Sequence, residues 1–283
     1  MRRILEIFLF VVLPVVVGVV NILSCGAASA LSTWVAGEEE HPWGKTGTPW
    51  ALDLMTKQGW IQPEYADSTT NLVPGLTKRG GTAWSPQWYG GYLGVVADGD
   101  STTAWNMVPY AASHPVRGVS LLIDLGVIFP LNRITLFTGE GDEANVNILT
   151  GYEIYVNDGD PKNTIAGEPN YTFLARDTEN EEAEIDVRFR TQFVRYIKLM
   201  VASDYGFVIS EVGAYGSGYA PMARYRSDPI DLGSPANFGR IELSAQVDPK
   251  AKILLRTRTG STPDPYIYYG KTGVGGEEAP VSK

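Results

Sequence analysis

Oxygen-bearing side chains crowd a short turn at residues 95–105. Asp98, Asp100 and Thr103 supply hard oxygen ligands, and Gly99 opens the tight turn that brings them together. Calcium is the cation that suits this chemistry. Because calcium takes about six to eight oxygens, one turn cannot complete its shell, and a distant carboxylate has to join. The alternative interpretation is that Asp98 caps the turn and binds no metal.

Side chains that could act as catalysts show no recognisable arrangement. The two histidines, His41 and His114, lie in unrelated loops, and the sequence has no nucleophile elbow, zinc motif or phosphate-binding loop. The acidic runs 139–143 and 179–184 could supply glycosidase carboxylates, but runs of this kind are usually solvated loops. The sequence therefore predicts a protein that is not an enzyme.

The composition restricts the partners and the fold class. The 283 residues carry a formal net charge of −9, so a nucleic-acid partner would be repelled and is not expected. The single cysteine, Cys25, excludes a disulfide within the chain. The 31 glycines, the 18 prolines and the aromatic content of 11% suit short strands joined by tight turns.

The N-terminus has the pattern of an export signal. Arg2 and Arg3 precede a nearly continuous apolar run at 7–23, which predicts a signal peptide over residues 1–30 and a secreted or cell-surface bacterial protein. Two cleavage sites remain open. The segment ending at Cys25 resembles a lipobox and would give a lipid anchor, whereas the small residues at 28–30 would remove Cys25 with the signal.

The elements that must position the oxygen-bearing turn are short strands. Between residues 184 and 189, apolar and charged residues alternate, which is typical of a strand with one buried face. No alternation of strands and helices is seen, so two antiparallel sheets packed face to face are expected. The predicted strands are 118–125, 132–138, 152–157, 171–176, 183–189, 196–202 and 208–215.

The regions that flank these strands differ from them in composition. Residues 31–69 are a lead-in segment rich in Trp, Pro and Gly, and residues 70–217 form the sandwich. After a Gly-rich linker, residues 219–283 predict a smaller β unit of three or four strands. So small a unit rarely buries enough surface to be stable alone, which suggests a truncated unit and further domains in a longer chain.

Four segments, taken in order, resemble one known family. They are 96–105, 122–126, 152–159, and 195–199 together with 209–212. Their order resembles that of the discoidin family, the coagulation factor type C domains, within the galactose-binding-like β-sandwich superfamily. The resemblance covers about half of the chain and implies an antiparallel β-sandwich of the jelly-roll type.

The resemblance also implies the rest of a structural calcium site. Glu211, on the last strand, would join Asp98 and Thr103 as a side-chain ligand. Main-chain oxygens would complete the shell, from Val95, Asp100, Thr103 and Ser210. The ion would then join the first loop to the last strand. The alternative interpretation makes Glu211 a surface charge.

Relatives that bind carbohydrate place the ligand on loops at one end of the sandwich, where an aromatic ring stacks on a sugar. The residues that match this description are Trp88, His114, Arg117, Tyr205 and Phe207. Such aromatic residues also close sandwich ends or contact neighbouring domains. The His, Arg and Asn set of galactose binders is not identifiable, so the sugar is left open.

These features together predict an exported, calcium-stabilised module that binds glycan at or outside the cell surface. Two alternatives remain. The sandwich could be a structural or assembly domain of a larger surface protein. It could also be the non-catalytic front end of a secreted glycoside hydrolase.

Overall fold

The computed structural model describes residues 4–12, 15–26, 31–54, 58–87, 93–139, 146–231, 236–260, 268–271 and 278–281. The first strands are β1 Ile4–Val12, β2 Val15–Gly26, β3 Leu31–Ala36, β4 Gly47–Trp50, β5 Leu52–Asp53, β6 Gln62–Pro63, β7 Tyr65–Ala66, β8 Thr82–Trp84, β9 Trp105–Asn106, β10 Ser120–Thr138 and β11 Tyr152–Asn157. They are followed by β12 Thr164–Ile165, β13 Glu168–Pro169, β14 Thr172–Asp177, β15 Glu184–Val201, β16 Val208–Gly216 and β17 Gly218–Tyr219. The last are β18 Met222–Ser227, β19 Ile230–Asp231, β20 Ala236–Val247, β21 Lys252–Gly260, β22 Tyr268–Lys271 and β23 Glu278–Val281.

Helical segments are short. In the described part of the chain there is one α-helix, α1, Val108–Ala111, and the 3-10 turns are Trp43–Lys45, Val73–Gly75, Thr77–Arg79, Gly94–Val96 and Pro161–Asn163. Among the residues described, no helix has the length and apolar character that crossing a membrane requires.

The chain divides into two compact units. One unit, Tyr65–Pro221, is continuous and contains all the residues of the predicted sandwich. The other combines Met1–Glu64 with Met222–Lys283. The separation of a lead-in segment from a C-terminal β unit is therefore corrected, because both belong to one unit that is interrupted in sequence.

Strand pairing explains why the two flanking regions form one unit. In the sheet ordered β19-β1-β18-β4, the lead-in strand β4 pairs with β18, and β21 also pairs with β1. Backbone N–H and C=O groups in a strand need partners, and the partners of β4 lie about 180 residues away in sequence. The buried side chain of Tyr225, on β18, supports this pairing. Its ring contacts the Trp43 ring edge-on, and its hydroxyl donates to the Trp43 carbonyl or to Thr46 Oγ1.

The segment with the signal-peptide pattern forms strands β1 and β2. Strand β1 pairs with β18, β19 and β21, and β2 pairs with β3 and β20. A run of Val, Ile and Leu is compatible with a buried strand as well as with a signal sequence. Cleavage of residues 1–30 and a lipid on Cys25 stay predictions, as does export.

The Tyr65–Pro221 unit is an antiparallel β-sandwich built on two long strands. The first parts of β10 and the last parts of β15 pair with each other, with β8 on one side and β11 and β14 on the other. The remaining parts of the same two strands also pair with each other, and there the other edge of β10 pairs with β16, which carries β9. Register shifts between Asp124 and Phe129, and between Leu131 and Arg133, separate these two regions of β10. The all-β prediction is confirmed.

Alternation along β10 sorts side chains between the core and the outer face. Leu121, Ile123 and Leu125 are buried, whereas Leu122 and Asp124 between them are only half-buried. Successive side chains of a strand point to opposite faces, so the second set lies on the outside of the sheet. The predicted strands 118–125 and 132–138 are both parts of β10, and 183–189 and 196–202 are both parts of β15.

A buried arginine joins three segments of the sandwich. The Arg79 side chain donates from Nε to the Leu125 carbonyl at 3.0 Å and from Nη2 to the Leu72 carbonyl, and its guanidinium lies 5.2 Å from the centre of the Phe129 ring. Gly126 allows the close approach at this bend, because its φ is +78° and a Cβ there would lie 2.5 Å from the Arg79 carbonyl oxygen.

Asp67 stabilises the segment that leads into the sandwich. Its carboxylate also makes the stability of the fold depend on pH in the acid range. Its carboxylate accepts hydrogen bonds from the backbone N–H and the hydroxyl of both Thr69 and Thr70, at 2.6–2.9 Å. These bonds lower the pKa of Asp67 to about 2. The stabilisation is therefore complete above the unfolded-state pKa of 3.8 and is lost as the pH falls towards 2.

Replacing Asp67 tests this acid dependence. We expect Asp67→Ala to cost about 1 kcal/mol at neutral pH, as for loss of a capping side chain. The difference from the native chain should shrink between pH 4 and pH 2, because the native carboxylate is protonated there. Urea unfolding of the full chain at a series of pH values measures it, and a pH-independent difference would contradict the assignment.

Candidate functional site

The loop 95–103 gathers oxygen atoms around one hydroxyl. Thr103 Oγ1 lies 3.1 Å from the Val95 carbonyl oxygen, 2.8 Å from Asp98 Oδ2 and 3.0 Å from the Asp100 carbonyl oxygen. A hydroxyl has one proton and can donate to only one of these three acceptors. The loop thus presents more lone pairs than protein protons, which is the environment that attracts a cation.

The carboxylate of Asp100 has a different role from that of Asp98. Asp100 Oδ1 accepts from the Thr102 N–H at 2.9 Å and from the Thr102 hydroxyl at 2.6 Å. The hydroxyl bond is the larger of the two causes that lower the pKa of Asp100. This side chain therefore stabilises the turn, and only the carbonyl of Asp100 lies beside Thr103.

Glu211 on β16 meets this loop. Its side chain is 7% exposed, and Oε2 accepts a hydrogen bond from the Gly99 N–H at 3.0 Å. Among the described residues Oε1 has no hydrogen-bond partner, although it is buried. Burial raises the pKa of Glu211 to about 7, and the negative charge of Asp98 adds to the rise. A buried carboxylate oxygen without a donor is costly unless a cation satisfies it.

Ser210 lies at an irregularity in the same strand. The register between β10 and β16 shifts between the pairs Phe137–Glu211 and Thr138–Ile209, so Ser210 has no residue opposite it in that pairing. The Ser210 hydroxyl donates to the Phe137 carbonyl at 3.3 Å. A β-bulge of this kind redirects backbone groups away from the ladder.

The donor set fits calcium in type. It consists of two carboxylates, a hydroxyl and main-chain carbonyls, all of them hard oxygens. Within the described part of the chain, no group of three or more His, Cys, Asp or Glu side chains could hold a metal ion, so this set depends on the hydroxyl and carbonyl oxygens beside its two carboxylates. The unpaired Oε1 of Glu211 is the atom that a cation would satisfy.

Two of the predicted glycan-binding residues, Arg117 and Tyr205, lie at the same loop at one end of the sandwich. Arg117 donates to both carboxylate oxygens of Asp204, from Nε at 2.8 Å and from Nη2 at 2.9 Å, and its Nη1 donates to the Ala202 carbonyl. Tyr205, which directly follows Asp204 in the sequence, is 73% exposed. A bidentate arginine thus fixes the backbone that carries an exposed aromatic ring.

The short helix α1 packs against the same loop. A Cβ on Gly206 would lie 2.7 Å from the Val108 Cα and 3.1 Å from the Ala111 Cβ, so the two backbones are in close contact. His114 follows the helix and stacks on Tyr110, with ring centres 4.5 Å apart and planes 17° apart. Its Nδ1 is hydrogen-bonded to the Ser113 hydroxyl at 2.9 Å.

The prediction that Phe207 contacts the glycan is wrong. Its ring is 0% exposed and meets the buried Trp105 edge-on at 5.3 Å between ring centres. A ring without accessible surface cannot stack on a sugar. Phe207 instead packs beneath the loop and holds it in place, and Trp105 is a core residue. The predicted ligand residue Trp88 lies outside the described residues.

The sequence analysis missed a groove on the outer face of the sheet formed by β8, β10, β15 and β11. Strand register places Trp84 opposite Leu122, Leu122 opposite Lys198, and Lys198 opposite Tyr155. The open space above this face measures about 670 Å³. The alternation Tyr196-Ile197-Lys198 signals an outer face, but the sequence does not say which strands are neighbours.

A second row of outward side chains forms the adjoining part of the floor. Asp124 lies opposite Tyr196, and Tyr196 opposite Asn157. Asp124 accepts a bidentate ion pair from Arg195, at 2.8 and 2.9 Å. That pair raises the pKa of the Arg195 guanidinium and balances the charge of Asp124.

Comparisons with known proteins give structural likenesses only. No family model matches the chain, and no curated protein matches it. Chitosan-binding module 1 of a chitosanase/glucanase from Paenibacillus sp. IK-5 has 23% sequence identity and a TM-score of 0.39, and the match covers 52% of this chain and 99% of that one. The family 32 carbohydrate-binding module of NanJ from Clostridium perfringens, solved with galactose, has 22% identity and a TM-score of 0.41, over 52% and 98% of the two chains. At these scores the likenesses add no argument to the architecture that the strands establish.

Proposed function

We propose that Tyr65–Pro221 is a calcium-stabilised module that binds glycan through the end of the sandwich that carries Tyr205. The observation that carries this proposal is an exposed ring on a fixed loop. Tyr205 is 73% exposed, Arg117 holds the residue before it, and Phe207 is buried two residues later. A ring ordered before the ligand arrives loses little conformational entropy on binding, which favours affinity.

The chemistry of this surface suits a sugar. An aromatic face packs against the C–H face of a pyranose, while charged and imidazole groups beside it bond to hydroxyls. His114 and Arg117 are the groups proposed for the second task. The discoidin resemblance supports the same end of the sandwich, because it places carbohydrate ligands on such loops. The sugar itself is left open by these contacts.

Calcium enters this proposal as a structural ion. The side chains of Asp98, Thr103 and Glu211 would hold it, with the carbonyl oxygens of Val95, Asp100, Thr103 and Ser210. When bound, the ion would supply positive charge to carboxylates and carbonyls that otherwise face one another. The residues themselves fix the loop 95–103 against β16 through the Gly99 N–H bond to Glu211.

The metal-binding segments and the glycan-binding loop are continuous with each other. Trp105 follows Thr103 by two residues, and Phe207 precedes Glu211 by four. The contact between these two rings therefore links the segments that would hold calcium to the loop that carries Tyr205. Calcium is expected to order the glycan-binding loop as well as the strand ends.

Replacing Tyr205 tests the proposed function. We expect the full chain, with calcium present, to bind a subset of a glycan array, and Tyr205→Ala to weaken that binding about tenfold or more, equivalent to about 1.4 kcal/mol. Affinity electrophoresis in gels that contain the glycan identified on the array measures the change. Phe193→Ala is the control, because that ring is 52% exposed but lies on β15.

Three outcomes of this experiment decide between the functions. Loss with Tyr205→Ala and not with Phe193→Ala supports the proposal. Absence of any retained glycan overturns it and favours a structural or assembly role. Binding that is unaffected by Tyr205→Ala shows that glycan is recognised elsewhere on the chain.

A further inference from the structure

We propose that the outer face of the β8-β10-β15-β11 sheet is a second glycan-binding site, which accepts several consecutive sugar units of an uncharged oligosaccharide. This inference rests on the proposed function, since it takes the module to be a carbohydrate binder. It assigns to the sheet face a role separate from that of the loop that carries Tyr205.

The groove has the size and the walls that such a ligand needs. Its volume of about 670 Å³ lies within the range of roughly 300–1,000 Å³ that small-molecule sites occupy. Trp84 lines it from β8, and Tyr171 lines it beside the β12–β13 hairpin. Both rings are half-buried, so each keeps one part accessible. Two aromatic walls above a polar floor provide surfaces for the C–H faces of a sugar chain.

A cation fixed by aromatic rings lies on the floor. Lys198 Nζ is 5.8 Å from the centre of the Tyr155 ring and 5.7 Å from the centre of the Tyr171 ring. These contacts hold the ammonium group in place while its N–H bonds stay available. Ammonium donors of this kind bond to hydroxyl and ring oxygens of sugars.

Two phenol groups line the groove, Tyr171 on a wall and Tyr196 on the floor. The Tyr196 ring packs against the Arg195 guanidinium, and the Tyr171 ring lies beside the Lys198 ammonium group, and both rings line the groove. Burial raises the pKa of Tyr171 to about 12, so its hydroxyl keeps its proton at neutral pH. Each hydroxyl can donate and accept, which matches the hydroxyl groups of a sugar.

The charges of the groove favour an uncharged ligand. Among the residues that the structure describes, the charged ones that line it are Asp124, Glu168 and Lys198. Arg195 pairs with Asp124 and balances it, and Lys198 and Glu168 have opposite signs. A phosphate or a polyanion would meet no excess of positive charge, and a wholly apolar ligand would leave the Lys198 ammonium group and the Tyr196 hydroxyl without ligand hydrogen bonds.

The test separates the groove from the loop site by ligand length. Neutral β-linked oligosaccharides of one to six units, in glucose, galactose, xylose and N-acetylglucosamine series, are titrated calorimetrically into the full chain with calcium present. In one series we expect binding of the hexasaccharide to survive Tyr205→Ala, which removes disaccharide binding. Tyr171→Ala should weaken hexasaccharide binding at least tenfold and leave the disaccharide unchanged.

Conservative and matched variants make the result decisive. Tyr196→Phe removes only a hydroxyl and should weaken the hexasaccharide about threefold or more without altering the melting temperature. Phe193→Ala should change nothing. If Tyr205→Ala abolishes binding of every length, or if Tyr171→Ala and Tyr196→Phe leave the hexasaccharide unaffected, the groove is not a glycan site and the proposed function stands. If no oligosaccharide binds the native chain, the proposed function fails, and the groove proposal with it.

Discussion

Calcium at about 10 mM should raise the melting temperature of the full chain by roughly 3–10 °C above its value in a chelator. Extracellular calcium modules have dissociation constants of about 10⁻⁴–10⁻³ M, so this concentration is about 10 to 100 times the constant. The linked stabilisation is then about 1.4–2.7 kcal/mol. For a unit of this size, each kcal/mol corresponds to about 2–4 °C. Differential scanning calorimetry measures the shift.

Variants of the proposed ligands localise this effect. Asp98→Ala and Glu211→Gln should each abolish most of the calcium-dependent shift, because each removes a carboxylate ligand. Glu184→Gln, which changes a carboxylate that is 53% exposed on β15, should retain it. Magnesium should give a smaller shift, since it requires a smaller octahedral shell. A full shift in the Glu211→Gln chain would place the ion elsewhere, and no shift in the native chain would remove calcium from the proposal.

Removal of Arg79 should destabilise the sandwich by about 3 kcal/mol or more, since it leaves two buried carbonyls without their donor and removes a packed side chain. Arg79→Ala leaves the Leu125 and Leu72 carbonyls without their guanidinium donor and opens a cavity beside Phe129. The melting temperature should fall by roughly 6–12 °C. Thermal unfolding followed by near-ultraviolet circular dichroism measures the loss of packing.

Two further arginine variants separate geometry from charge. Arg79→Lys keeps the positive charge but loses the planar fork, so it should recover only part of the lost stability. Arg188→Ala removes an arginine that is 71% exposed and pairs with Asp186 on the surface, and it should change stability by less than about 0.5 kcal/mol. Equal effects of Arg79→Ala and Arg188→Ala would contradict the joining role of Arg79.

The sequence determined the local features, because those depend on neighbouring residues. Alternating and continuous β-forming runs predicted the strands of the sandwich, and the turn around Gly99 predicted a cluster of the Asp98, Asp100 and Thr103 side chains. The Asp100 carboxylate instead bonds to Thr102, and the Asp100 carbonyl that lies beside Thr103 was named by the family resemblance. The resemblance to a known family added Glu211, and the structure brings its carboxylate to the Gly99 N–H at 3.0 Å. That calcium occupies this place stays a prediction.

The tertiary structure decided which distant segments meet and which rings reach solvent. Only strand pairing joined β4 to β18 and so merged the two flanking regions into one unit. Phe207 and Tyr205 are equivalent aromatic residues in the sequence, yet packing against Trp105 buries one and leaves the other exposed. The outer-face groove arises from the register of four strands. The physical reason is that burial and pairing are set by contacts between residues far apart in the chain, which local periodicity does not encode.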